Sequence, residues 1–170
     1  MPESRPKWRE PASRLPLRWG SYPARYAAGV ALIFAGGALV QLTSAYSLVV
    51  LPLGLFAHIT GWCILPGVGW RRILGAGIGA LTTIVLLNGA PATVFLVFPF
   101  AAWLLLRQRP LVSYLTVVVP LLVAAVLSQT FPDYGWGVVV LPISGAALSG
   151  SAWLARSLAA MSGRSTAISG

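Results

Sequence analysis

Few side chains in this sequence are equipped for chemistry. His58 is the one histidine, and an imidazole set inside an apolar stretch can relay a proton, hold a ligand or make a hydrogen bond to a neighbouring helix. Cys63 is the one cysteine, which excludes an intramolecular disulfide and any cysteine-rich zinc site. Zinc or a transition metal needs three or four ligands. One His and one Cys on different faces of a helix fall short, so no metal and no cofactor is expected. The acidic residues are Glu3, Glu10 and Asp133, and none lies within an apolar run. Ion-coupled carriers commonly keep a carboxylate at membrane depth, so its absence argues against that class. His58, Asn88, Asp133 and Tyr134 are the candidate polar or intramembrane site. The outer groups among them, with Gln41, Tyr46, Gln129 and Trp136, would ring a pocket for a small solute. No catalytic residue is assigned.

The elements that must position these groups follow from composition. Of 170 residues, 57% are hydrophobic and 9% charged, with mean hydropathy +0.81. Soluble domains average about 25% charged. The fold class expected is all-α, a polytopic transmembrane helical bundle of about six spans at 26–42, 47–65, 73–89, 92–106, 111–127 and 135–153. At about 1.5 Å per residue, such runs reach roughly 22 to 28 Å, slightly less than a hydrocarbon core of about 30 Å. The Asn88-Gly89-Ala90-Pro91 step is strong turn punctuation. Residues 73–106 read either as two full spans or as a re-entrant hairpin. Residues 1–25, with Pro2, Pro6, Pro11, Pro16 and Pro23 among six basic and two acidic side chains, read as a disordered tail. Residues 154–170 read as a second disordered tail, and the 26–42 run as an uncleaved anchor.

Charge sets the orientation. The basic residues cluster at the N-terminal tail, at Arg71 and Arg72, at Arg107 and Arg109, and at Arg156 and Arg164, in alternate gaps between the runs. Cytoplasmic loops hold the excess of Lys and Arg, so both termini are expected in the cytoplasm. Eleven Arg against one Lys points to a GC-rich bacterial genome and an inner-membrane location. The basic tail would meet anionic lipid headgroups. A formal charge of +9 suits nucleic acid too, but these residues sit at segment ends and make no basic stripe with exposed aromatics, so nucleic acid is excluded. Gly75 and Gly79 form a small-xxx-small pair for close helix packing, which favours a homo-oligomer or another membrane protein as partner. The glycines at 75, 77 and 79 lie inside an apolar run with no strand before them, so they are not a dinucleotide fingerprint.

Six spans with both ends inside invite comparison with intramembrane serine proteases of the rhomboid family. Their nucleophile lies in a Gly-x-Ser-Gly motif on the fourth span and their histidine on the sixth. Here Pro142-Ile143-Ser144-Gly145 and Ala147-Leu148-Ser149-Gly150 fall on the sixth run and His58 on the second, so the order is wrong. In length and span count alone, the chain resembles the substrate-binding subunits of energy-coupling-factor vitamin importers. That resemblance implies a small-solute transport component, the alternative to the expected function. The expected function is a non-catalytic integral membrane protein, an accessory or scaffold subunit.

Overall fold

The computed structural model describes residues 11–14, 20–44, 46–131 and 134–168, and every regular element among them is helical. Six α-helices follow in order: α1 Tyr22–Gln41, α2 Val50–Ile64, α3 Gly69–Val85, α4 Val97–Leu106, α5 Val118–Thr130 and α6 Gly137–Ile168. Tight 3-10 segments, Ala90–Leu96 and Leu111–Val117, run straight into α4 and α5. Tyr22–Gln41, Gly69–Asn88, Leu111–Thr130 and Gly137–Ser162 are long and apolar enough to cross a membrane; Val50–Ile64 and Ala90–Leu106 are shorter apolar helices. Such a set of helices marks a membrane protein.

Local chemistry explains the boundaries. Ser21 is extended and its hydroxyl accepts from the Ala24 N–H at 3.4 Å, while Pro23 occupies the first turn, where its missing N–H costs nothing. α1 therefore starts at 22 instead of 26 and takes Arg25 into its first turn. α2 stops at Ile64 because Leu65 precedes Pro66 and is held extended. α3 starts at Gly69, not 73, so Arg71 and Arg72 are helical as well. After α3, Gly89 has φ 85, a conformation in which a Cβ would be strained. Pro99 and Pro120 are each the third residue of their α segment. Proline removes the N–H that would bond Phe95 or Thr116, and the chain upstream winds as 3-10 helix.

Two sequence expectations need correction or limits. The last apolar run ends at 153 and 154–170 reads as unstructured, yet α6 continues to Ile168. Its extension is held by packing: Ala155 is fully buried against Phe100 and Leu104, and its carbonyl accepts from Ser113 Oγ at 2.9 Å. Alanine, leucine and methionine also favour helix. Of the N-terminal tail, residues 1–10 and 15–19 lie outside the described residues; Pro11–Arg14 forms a 3-10 turn and Tyr22 begins α1.

Sequential neighbours pack on one another, α1 on α2, α2 on α3 and α3 on α4, while the 90–96 segment lies on α5 and the 111–117 segment on α6. The interior is made of small side chains. Among the described residues, half of the buried hydrophobic ones are alanine, whereas Phe56, Ile73 and Leu81 are 67 to 72% exposed. Large apolar groups outside and small ones inside suit a lipid solvent, which does not drive big side chains inward.

Candidate functional site

α1 and α2 approach each other backbone to backbone. Gly29 and Gly36 on α1 meet Gly61 and Gly54 on α2, each pair seven residues apart and running antiparallel. The contacts are reciprocal: a Cβ on Gly29 would lie 2.9 Å from Gly61 O, and one on Gly61 2.7 Å from Gly29 O. At the other end, a Cβ on Gly54 would lie 2.9 Å from Gly36 O, and one on Gly36 would collide with the His58 backbone N. Only glycine permits this backbone contact, which dispersion and weak Cα–H···O interactions stabilise. The α2 half of this seam, Gly54 and Gly61 on the same side of the helix as His58 and Trp62, is legible in the sequence, whereas Gly29 and Gly36 of α1 are absent from the sequence-derived candidates. The seam's signal, glycine at a seven-residue interval in two successive runs, was present.

His58 sits in that seam. It is 6% exposed, and Trp62, one turn along, is 2% exposed. Trp62 Nε1–H donates to His58 Nε2 at 3.1 Å. An indole nitrogen can only donate, so Nε2 is the bare nitrogen and Nδ1 carries the proton. Nδ1–H then donates to Ile33 O of α1 at 2.9 Å. Both ring nitrogens are thus committed inside the protein. From α3, Gly75 and Gly79 leave room for the indole: a Cβ on Gly75 would lie 2.5 Å from Trp62 Cε3, and one on Gly79 2.5 Å from Trp62 Nε1 and 2.7 Å from His58 Nε2. The groove that Gly75 and Gly79 make is filled by α2 of the same chain. The cluster joins three helices and offers no nitrogen to a ligand or a proton relay.

Among the described residues, the remaining polar candidates do not converge on His58. Asn88 Nδ2 donates to Val85 O at 2.8 Å, closing its own helix end. Gln41 Nε2 donates to Thr83 O at 3.0 Å, tying α1 to α3, and Tyr46 is fully exposed. Asp133 lies outside the described residues, and of Tyr134 only the backbone is described, at the start of a 3-10 turn. Gln41, Gly89, Thr93 and Trp136 help line a cavity of about 30 Å³, room for a water or two. Among the described residues, no three His, Cys, Asp or Glu side chains are grouped to hold a metal ion. No family model, curated protein or solved structure matches this chain. Function must be read from the geometry alone.

The basic end carries structure that the sequence shows only as charge. Arg25 Nε donates to Ile64 O at 3.1 Å and Arg72 Nη1 to Cys63 O at 2.9 Å, both at the C-terminus of α2. Arg71 Nη1 donates to Leu105 O at 2.8 Å, at the C-terminus of α4. Cations there satisfy orphan carbonyls and oppose the negative end of the helix dipole. Arg107 donates to the Tyr22 hydroxyl and lies 4.3 Å from the Tyr26 ring centre and 5.7 Å from that of Trp103, a cation–π box at the foot of α1 and α4.

Proposed function

We propose that this chain is a multi-pass protein of a bacterial inner membrane, with six spans and both termini cytoplasmic, and that it serves as a non-catalytic accessory or scaffold subunit. One observation carries the reading: His58, the one histidine of the chain, makes both of its hydrogen bonds within the bundle. Two shorter helices, Val50–Ile64 and Ala90–Leu106, complete the six spans when the basic ends of all helices are placed on one side. The basic N-terminal tail lies against anionic headgroups of that leaflet.

The partner is a second copy or another membrane protein, and the outward small residues support close approach. Gly77 on α3 and Gly150 on α6 have nothing within 4 Å of an added Cβ, and exposed Leu81 and Trp153 flank them. The importer-like alternative draws less support, because the outer cavity of about 30 Å³ is far smaller than a vitamin-sized solute.

Isolation of the tagged protein in mild detergent, with mass analysis of what co-elutes, tests the proposal. A scaffold elutes as an oligomer or with a stoichiometric membrane partner, and Gly77→Leu or Gly150→Leu reduces that association. Recovery with an ATPase module and tight retention of a small solute would replace the scaffold with the transport reading.

A further inference from the structure

Between Arg25 and Arg71 the sequence has no charged residue, and the connection from α1 to α2, residues 42–49, lies in the middle of that stretch. Among its described residues the apolar side chains turn outward: Leu42, Leu48 and Val49 are 66 to 79% exposed, and Tyr46 fully so. Val49 already has helical geometry, with φ -63 and ψ -23. Val49, Leu53 and Phe56, spaced by four and three, therefore share one exposed face of α2. Gly54, His58 and Gly61 occupy the buried one. The apolar outer face of α2 thus runs past the start of the helix and into the connection.

The polar groups of the same connection bond to one another. At the end of α1, Ala38 O accepts from the Leu42 N–H, Val40 O from the Thr43 N–H and Leu39 O from the Thr43 hydroxyl at 3.2 Å. Ser44 and Ser47 pair hydroxyl to hydroxyl at 3.0 Å, and the Ser44 N–H donates to Ser47 Oγ. α2 then opens with no N–H left over in its first three positions: Val50 donates to Ser47 O, Leu51 to Leu48 O, and Pro52 has none to give. A helix start ordinarily leaves such donors to water, whereas a chain in hydrocarbon has to satisfy them itself. Depth points the same way. From Arg25, which bonds the end of α2, to Gln41, α1 rises about 24 Å at roughly 1.5 Å per residue, short of a hydrocarbon core of about 30 Å. Tilt would only shorten that reach. Ala90–Leu106 does better with fewer residues, because its 3-10 half rises about 2.0 Å per residue and brings the whole segment to about 29 Å.

We propose that the 42–49 connection is a tip immersed in lipid, covered by acyl chains of the leaflet opposite the arginine-rich end and not by water. Acyl chains fit the tip because its exposed face continues that of α2 without a polar step and offers no charge to a headgroup or a charged protein. Tyr46 suits the upper edge of such a site, its ring among the chains and its hydroxyl near the ester groups, which removes it from any aqueous ring around a solute. The inference rests on the membrane reading of the chain, and on neither orientation of its termini.

Spin labelling of the full chain in vesicles of phosphatidylethanolamine and phosphatidylglycerol tests it. Cys63→Ala removes the one cysteine, and a nitroxide is then attached through Leu48→Cys, Val49→Cys, Phe56→Cys or Gly135→Cys, one at a time. Gly135 is exposed beside the other connection at that end, and an added Cβ there meets nothing within 4 Å. Collisions with oxygen, which concentrates in hydrocarbon, are compared with collisions with a nickel chelate confined to water. Labels at 48 and 49 should match the label at 56, with oxygen dominating several-fold, while the label at 135 meets nickel. Nickel access at 48 and 49 equal to that at 135, with oxygen still dominant at 56, would put the tip in water and overturn the proposal. Protection of 48 and 49 from both reagents would overturn it too, since a protein surface would then cover them. Failure of the membrane reading itself is distinguishable, as nickel access at position 56.

Discussion

At the scale of single residues, two glycines of α3 have opposite roles although one residue separates them. A methyl group at Gly79 would press on the Trp62 indole and the His58 ring at 2.5 and 2.7 Å, whereas one at Gly77 would meet nothing within 4 Å. Gly79→Ala should therefore lower stability by about 2 kcal/mol, the usual cost of overpacking a close-fitted core. Gly77→Ala should be neutral or raise stability by up to about 1 kcal/mol through helix propensity. Thermal unfolding of both variants in the same detergent compares them, and equal melting temperatures would contradict the packing described. Trp62→Phe keeps an aromatic ring but loses part of the indole's buried bulk together with the N–H that satisfies His58 Nε2. An unsatisfied buried acceptor costs about 1 to 3 kcal/mol, so this variant should melt below the parent. Ser144 is a different case, buried at 6% exposure with its Oγ lacking a hydrogen-bond partner. Ser144→Ala should match or exceed the parent in the same melt, because it removes a desolvated hydroxyl and loses no bond.

At the scale of elements, the turn from α4 into the 111–117 segment shows how a loop of four residues reverses the chain. Gln108 N–H bonds Leu105 O and Arg109 N–H bonds Leu104 O, both at 3.1 Å, the two bonds of a Schellman motif. The residue between them has φ 54, where glycine is usual and Gln108 stands instead. Gln108→Gly should stabilise the fold by about 1 kcal/mol, the order of the penalty an L side chain meets in the left-handed region. A fall in melting temperature would show that the glutamine side chain holds something of greater worth. The 3-10 stretches before Pro99 and Pro120 follow from proline chemistry visible in the sequence. The length of α6 follows from Ala155 and Ala159 finding buried sites on other elements, which no local pattern reveals.

At the scale of the whole molecule, every arginine with a described hydrogen bond gathers near the ends of α2 and α4 or the start of α1 and α3. Exposed Cys63 lies at that end. If both termini are cytoplasmic, as proposed, a membrane-impermeant maleimide should label Cys63 in inverted vesicles and spare it in intact cells. Labelling only from outside intact cells would reverse the proposed orientation.

Much of this architecture was legible before folding was considered. Composition determined that the chain is helical and apolar enough for a bilayer, and Asn88-Gly89-Ala90-Pro91 marked a break, because these depend on each residue's own chemistry and its immediate neighbours. Which partners the glycines and the histidine take was not legible. In lipid, a helix face turned outward and one turned inward are both apolar, so the periodicity that reveals buried faces in water carries little information here. Only the tertiary structure decided that Gly75 and Gly79 receive Trp62, that Gly29 and Gly36 lie on Gly61 and Gly54, and that His58 is shared between Ile33 and Trp62, since each contact depends on which helix arrives at that face and how closely.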